Sequence, residues 1–182
     1  MSNLAQIVWQ RRPEPLGRMT IDLDAAPETG PLISCIMATR GKAFPARHAI
    51  DCFLNQSYGA RELVIVCASA GSEVETIVRE KGDARLRFMT ALEAQSVGEL
   101  RNAAIADARG ELVCVWDDDD LSHPDRLKWQ FACLTAANAD AAYLGRILLW
   151  QPFRERLAVS APRAWENTML ARKAALPAYT SG

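Results

Sequence analysis

Four consecutive aspartates, Asp117 to Asp120, follow directly on the apolar run Leu112-Val113-Cys114-Val115-Trp116. Carboxylates this close repel one another, and taking each out of water costs several kcal/mol unless a cation pairs with it. One reading of such a run is a solvated turn or a set of helix N-terminal charges. The other is a seat for a hard divalent cation that also holds a phosphate. Position favours the second, because these acids fall at a strand's carboxyl end, the edge where open α/β sheets bind ligands. Ser122-His123-Pro124-Asp125-Arg126-Leu127 then opens a helix, with Ser122 and Asp125 spaced as a capping box. Strand, acidic turn and helix N-terminus together make a place for a metal-bound diphosphate.

Other reactive side chains carry weaker signals. His48 falls early in a helical pattern and reads as a surface or packing residue. His123, just before Pro124, reads as helix-start punctuation rather than a metal ligand. The five cysteines (Cys35, Cys52, Cys67, Cys114 and Cys133) are odd in number and lack zinc-site spacing, so they read as small buried hydrophobes in a reducing compartment. Trp116 and Trp129 fall on strand and helix patterns and read as core, although Trp116, Trp129, Trp150 and Trp165 all have the ring to stack on a sugar.

The elements that must position these groups are legible as a chain of alternating patterns. Continuous apolar runs predict buried strands over 32–38, 62–67, 86–89 and 112–116. Helical spacing is found over 45–56, where Ala46, Ala49, Ile50, Phe53 and Leu54 share a face, and over 73–80. It recurs over 98–109, with Leu100, Ala103, Ala104 and Ala108 inward and Gly110 as the stop, and in the Leu127, Phe131, Leu134 stripe. The order β-α-β-α-β-α-β-α predicts a mainly parallel sheet with right-handed crossovers. Two strands over 141–150 and 156–160, joined by Gln151-Pro152-Phe153-Arg154-Glu155, predict a hairpin, and 168–172 predicts a last strand. Residues 1–30 read as a leader with one short edge strand over 19–23, and 31–182 as a single domain.

Composition narrows the class. With 182 residues, 49% of them apolar and 24% charged, the chain can bury a substantial core. A net charge of −1 gives no basic field to attract nucleic acid. No apolar stretch is long enough for a membrane span, and Met1 to Gln10 lacks the pattern of a secretory signal, so a cytoplasmic location is expected, with peripheral membrane association left open. No G-x-G-x-x-G follows the first strand, which argues against a dinucleotide-dependent dehydrogenase.

In four segments the sequence resembles the nucleotide-sugar-binding half of the family 2 glycosyltransferases, the inverting transferases of GT-A fold. Pro31-Leu32-Ile33-Ser34-Cys35-Ile36-Met37-Ala38-Thr39-Arg40 is similar to the family's first strand and loop. Phe53-Leu54-Asn55-Gln56-Ser57-Tyr58 is similar to its Gln-Ser/Thr-Tyr signature. Gly98-Glu99-Leu100-Arg101-Asn102-Ala103-Ala104, with Ala108-Arg109-Gly110-Glu111, is similar to its Arg-Asn helix. Asp117-Asp118-Asp119-Asp120 and Pro124-Asp125-Arg126-Leu127 are similar to its Asp-x-Asp-Asp and Pro-Asp-x-Leu motifs. The likeness covers residues 31–135, with weaker echoes beyond.

The resemblance implies an α/β fold, a Rossmann-like αβα sandwich with a mostly parallel central sheet and a C-terminal β-hairpin and acceptor-side strand. Residues 31–135 would form the donor half and 136–182 part of the acceptor half. It also implies transfer from a nucleoside-diphosphate sugar to an acceptor hydroxyl of a glycan, lipid or protein. Asp117 and Asp119 would hold Mg²⁺ or Mn²⁺, Asp118 would lie near the sugar or ribose, and Asp120 would cap the next helix. Thr39 would reach the nucleoside. Arg40 replaces an aromatic residue that stacks on the base, and a guanidinium can also stack. Arg101 would lie near the base and diphosphate, or instead pair with Glu99 on the helix surface.

Two departures stand out. After the second strand the family's Asp-Asp-Gly-Ser is replaced by Ala68-Ser69-Ala70-Gly71-Ser72, which leaves Ser69 or backbone groups to read the base. The family's general base lies beyond an acceptor-side strand, which Trp165-Glu166-Asn167-Thr168-Met169-Leu170 resembles; its base segment would fall after Gly182, and Glu166 is the nearby candidate. A degenerate module that binds a nucleotide sugar or a partner without turnover is the first alternative. A nucleotidyltransferase, to which Arg40-Gly41-Lys42 is a faint pointer, is the second.

Overall fold

A computed structural model of the chain describes residues 21–92 and 96–180. Its frame is the six-stranded sheet β3-β2-β1-β4-β8-β5. The first four of these are mutually parallel: β1 (Ile33–Thr39), β2 (Arg61–Cys67), β3 (Leu86–Thr90) and β4 (Leu112–Val115). β8 (Leu170–Arg172) runs antiparallel to β4, and the two-residue β5 (Ala141–Ala142) antiparallel to β8. Helices α1 (Ala43–Leu54), α2 (Glu73–Lys81), α3 (Val97–Asp107) and α4 (Arg126–Ala136) connect the strands.

The apolar runs become strands because both faces of the sheet are covered. All seven residues of β1 and all seven of β2 are buried. On one face Ile33, Cys35 and Met37 pack with Ile50 and Phe53 of α1, Val74 and Ile77 of α2, and Leu127 and Leu134 of α4. On the other face Ile36, Val64, Val66 and Val113 pack with Leu100 and Ala104 of α3. Each Val, Ile, Leu, Met or Phe among them contributes about 1.5–3 kcal/mol when fully buried. The described cysteines are free thiols, with Cys35, Cys67 and Cys114 buried and Cys52 and Cys133 partly so.

Several local expectations change. Helix α3 starts from Ser96, whose hydroxyl and Glu99 form a reciprocal capping box, and it ends before Ala108. Gly110 is therefore no helix stop. A Cβ there would lie 2.4 Å from the Leu32 carbonyl oxygen and 2.9 Å from the Ser34 nitrogen, so only glycine lets this segment pass against β1. The predicted strand over 141–150 is two strands: β5 joins the main sheet, while β6 (Leu148–Gln151) pairs only with β7 (Arg156–Val159) in a separate ribbon. The last strand begins at Leu170, because residues Glu166–Thr168 form a 3₁₀ turn. Residues 1–20 of the expected leader lie outside the described residues, and Ile21 to Leu23 are not strand.

Candidate functional site

The acidic turn lies where β1 and β4 end side by side. Its position is fixed by residues far away in sequence. Gln56, just past α1, donates from Nε2 to the His123 carbonyl at 2.7 Å and accepts from the Leu127 N–H at 3.1 Å through Oε1. Ser57 donates from its hydroxyl to Asp125 at 2.6 Å, and its N–H donates to the Pro124 carbonyl at 2.8 Å. Tyr58 donates to the Pro31 carbonyl at 2.8 Å. The Gln-Ser-Tyr segment is thus a clamp on the turn that follows the aspartates, and it supplies the cap that α4 lacks. Ser122 and Asp125 form no capping box: Ser122 Oγ accepts from Arg126 at 3.0 Å, and the Asp125 side chain caps no helix N–H.

Arg126 was not singled out in the sequence, yet it lies buried beneath the turn. Its guanidinium donates to the Val115 carbonyl at 2.9 Å and to Gln130 at 3.1 Å, and sits 4.9 Å from the Trp116 ring centre. Trp116 is buried, as its pattern predicts, with Nε1 donating to the Ala49 carbonyl at 2.9 Å. Trp129 is half-buried and stacks against His123 with ring centres 4.5 Å apart. His48 is exposed, edge-on to Phe44.

The aspartates differ in environment. Asp117 pairs with Arg101 of α3 at 2.7 Å, so Arg101 reaches across to the turn instead of bonding along its helix to Glu99. Asp118 accepts from the Thr39 hydroxyl at 2.5 Å, and the same hydroxyl accepts from the Gly41 N–H at 3.0 Å. Asp120 accepts from Asn167 at 2.6 Å and so does not cap α4. Asp119 is exposed and accepts no hydrogen bond among the described residues. Burial pushes the Asp118 carboxyl up, repulsion from Asp119 and Asp117 pushes it further, and the Thr39 hydroxyl only partly offsets both. Asp120 is likewise raised by burial and by Asp117 and Asp119, against Asn167 and Arg126. Burial alone would lower Arg101, but the attraction of Asp117 leaves its pKa above the ordinary value.

Arg101 also has the Tyr179 ring centre 5.5 Å from its guanidinium, and Glu166 acts on it electrostatically. Asn102 holds Tyr179 by two bonds, Nδ2 to its carbonyl at 2.9 Å and Oδ1 from its N–H at 2.8 Å. Tyr143 is pushed up to about 12 by burial, with Tyr179 and Glu166 adding to it. The structure therefore brings Thr39 onto Asp118 and Arg101 onto Asp117, and sets Glu166, an exposed side chain, within electrostatic reach of Arg101. Arg40 and Ser69 are exposed on the loops after β1 and β2, and no hydrogen bond joins them to the cluster. Arg101 Nε, Tyr143 Oη and Trp165 Nε1 are buried without a hydrogen-bond partner among the described residues. Buried polar atoms are normally satisfied, so each of these atoms lacks the partner such a group usually has.

Among the described residues no three His, Cys, Asp or Glu side chains converge as a metal cage. A cation here would rest on one or two carboxylates, with ligand oxygens and water completing its shell, which is how Mg²⁺ is usually held. The unpaired Asp119 and the mutual repulsion that raises Asp118 and Asp120 fit such a cation.

Three comparisons with known proteins agree with this architecture. The model of the family described as "Glycosyltransferase like family 2" matches residues 35–176. The chain belongs to that family. It is 30% identical over 112 residues to the succinoglycan biosynthesis protein ExoO of Rhizobium meliloti (strain 1021), covering 62% of this chain and 32% of that protein. It is 25% identical over 112 residues to the UDP-Glc:alpha-D-GlcNAc-diphosphoundecaprenol beta-1,3-glucosyltransferase WfgD of Escherichia coli, covering 62% and 44%. The chain thus spans about a third to under a half of the length of these relatives. The mannosyltransferase PcManGT from Pyrobaculum calidifontis, solved with GDP-Man and Mn2+, superposes with a TM-score of 0.60 at 20% identity over 76% of this chain and 42% of that one. At that identity the likeness establishes the fold, which is the GT-A type. No helix among the described residues is long and apolar enough to cross a membrane.

Proposed function

We propose that this chain binds a nucleoside-diphosphate sugar at the carboxyl ends of β1, β2 and β4 and transfers the sugar to an acceptor hydroxyl with inversion. The observation that carries the reading is the convergence of three elements on one acidic turn: β1 through Thr39–Asp118, α3 through Arg101–Asp117 and the 166–168 turn through Asn167–Asp120. Asp117 and Asp119 hold Mg²⁺ or Mn²⁺. When bound, such a cation screens the charge that develops on the departing diphosphate. Thr39 at the end of β1, with Arg40 and Ser69 on the loops after β1 and β2, faces the nucleoside, and Arg101 exchanges part of its bond with Asp117 for a phosphate oxygen. Asp118, held by Thr39, lies beside the sugar or ribose. Donor hydroxyls and phosphate oxygens satisfy the orphaned Arg101 Nε, Tyr143 Oη and Trp165 Nε1.

Glu166 takes the proton from the acceptor hydroxyl. The freed oxygen attacks the anomeric carbon opposite the phosphate, the carbon–oxygen bond to phosphate breaks, and the nucleoside diphosphate leaves with that electron pair. This order inverts the anomeric centre. The proposal takes residues 31–182 as one domain working on the cytoplasmic side.

Thermal unfolding with UDP- and GDP-sugars, with and without Mn²⁺, tests it. A donor at a hundred times its Kd stabilises by about 2.7 kcal/mol, roughly 5–10 °C for a chain of this size. The shift should require metal and vanish in Asp119→Ala. Glu166→Gln should keep the shift and lose about 10²–10⁴-fold in turnover. No metal-dependent shift with any donor would overturn donor binding; a shift without transfer would leave a binding module.

A further inference from the structure

The β6–β7 ribbon stands apart from the main sheet and displays its apolar side chains. Leu148 pairs with Val159 and Trp150 with Leu157. Cross-strand partners and residues two apart share a face, so these four form one apolar surface. They are 64%, 61%, 59% and 62% exposed, in that order. At the turn Pro152–Arg154, Phe153 is fully exposed at 102%. Ribbon burial cannot be what selects these residues, since none of them packs into either core cluster.

The ribbon's charge is as one-sided as its apolar face. Residues 141–165 contain four arginines, Arg146, Arg154, Arg156 and Arg163, against the single acid Glu155, in a chain whose net charge is −1. All four arginines are exposed. Arg156 pairs with Gln151 and so faces away from Trp150 and Leu157, flanking the apolar surface without interrupting it. The foot of the ribbon is rigidly tied: the Ser160 N–H donates to the Ile147 carbonyl at 2.9 Å, the Ile147 N–H to Ser160 Oγ at 3.0 Å, and the Arg163 N–H to the Gly145 carbonyl at 3.1 Å.

An aromatic tip, an aliphatic face and a basic rim match one environment, the headgroup layer of an anionic bilayer. Trp and Phe sit at the polar–apolar boundary, and arginines reach lipid phosphates while their stems stay apolar. We propose that the β6–β7 ribbon docks this chain on the surface of a bilayer containing anionic lipids, with Trp150 and Phe153 entering the headgroup layer, Arg154 at the tip bound to phosphates and Arg156 adding charge within a Debye length of the surface. The docking rests on the ribbon alone and does not need the transferase reading.

Flotation of the 182-residue chain with phosphatidylcholine vesicles, with and without phosphatidylglycerol, tests this. Binding should need the anionic lipid and weaken with salt. The Trp150→Ser/Phe153→Ser double variant should lose about tenfold or more in partitioning. Arg154→Gln/Arg156→Gln should lose roughly fivefold for each arginine. The four substituted side chains lie outside the core, so both variants should keep the wild-type unfolding temperature, which separates a docking defect from misfolding. Failure of the wild type to float, equal binding by the aromatic variant, or a wild-type dimer in sedimentation that the aromatic variant abolishes would each overturn it; the last would assign the ribbon to a second copy of the chain.

Discussion

Replacing Gln56 by leucine tests whether the acidic turn is held in place by the segment after α1. The side chain is 4% exposed and makes three bonds, from Nε2 to the Cys52 and His123 carbonyls and to Oε1 from the Leu127 N–H. Leu127 is itself fully buried, so its N–H finds no water when the amide is lost. Each net hydrogen bond is worth about 1 kcal/mol, and each buried group left unsatisfied costs about 1–3 kcal/mol. Leucine recovers some of this through apolar burial, so a net loss of about 2–5 kcal/mol is expected. For a chain of this length that lowers the unfolding midpoint by roughly 5–15 °C. Differential scanning calorimetry and urea unfolding give the stability. The metal-dependent donor shift, measured at a temperature where the variant remains folded, gives the effect on the turn, and it should shrink. A midpoint within about 2 °C of wild type would refute the clamp, because three buried bonds cannot vanish at that cost.

Gly110→Ala places a Cβ 2.4 Å from the Leu32 carbonyl oxygen, just before β1, and should destabilise by at least about 3 kcal/mol or prevent accumulation of folded protein, read by yield and urea midpoint. Glu62 is buried, which would raise its carboxyl, yet hydrogen bonds from Ser34, the Arg109 N–H and Arg87 hold it below its ordinary value of 4.5. A lowered folded-state pKa stabilises above the unfolded value and is lost as pH falls through the folded one, so Glu62→Gln should cost about 2–4 kcal/mol at neutral pH and progressively less below about pH 4 in urea titrations. Arg101→Met removes the partner of Asp117 and should weaken metal-dependent donor binding by roughly 10–100-fold in calorimetric titration, the worth of one charged hydrogen bond to phosphate, while the unfolding midpoint moves less than in Gly110→Ala.

How much of this was legible in the sequence depends on how local each cause is. The parallel strands could be read because burial on both faces demands unbroken apolar runs, and β1 and β2 are buried throughout. The inward faces of α1 and α3 followed from spacing alone. The hairpin joined through residues 151–155 was legible, but its first arm was drawn too long: residues 143–147 are not strand, and the chain leaves the main sheet there between β5 and β6. Gly110 was read as a cap because its real constraint, the nearness of β1, comes from residues some eighty positions earlier. Arg126 looked like one more charge in a helix start, since nothing local reveals that it lies buried against Trp116 and the Val115 carbonyl. Arg101 was legible as a residue near the diphosphate, but its bond to Asp117 crosses from α3 to the turn after β4, which no local pattern reveals.

The bonds that shape the acidic turn span large separations: 67 residues from Gln56 to His123, 68 from Ser57 to Asp125 and 79 from Thr39 to Asp118. Loop closure of that length must be completed before any of these contacts is rewarded, and chains rich in such pairings fold slowly. The central strands can therefore condense while the aspartates are still unplaced, so that competence to hold a ligand is acquired in the last stage of folding. A refolding experiment that follows tryptophan burial and nucleotide capture in parallel should see the second lag behind the first.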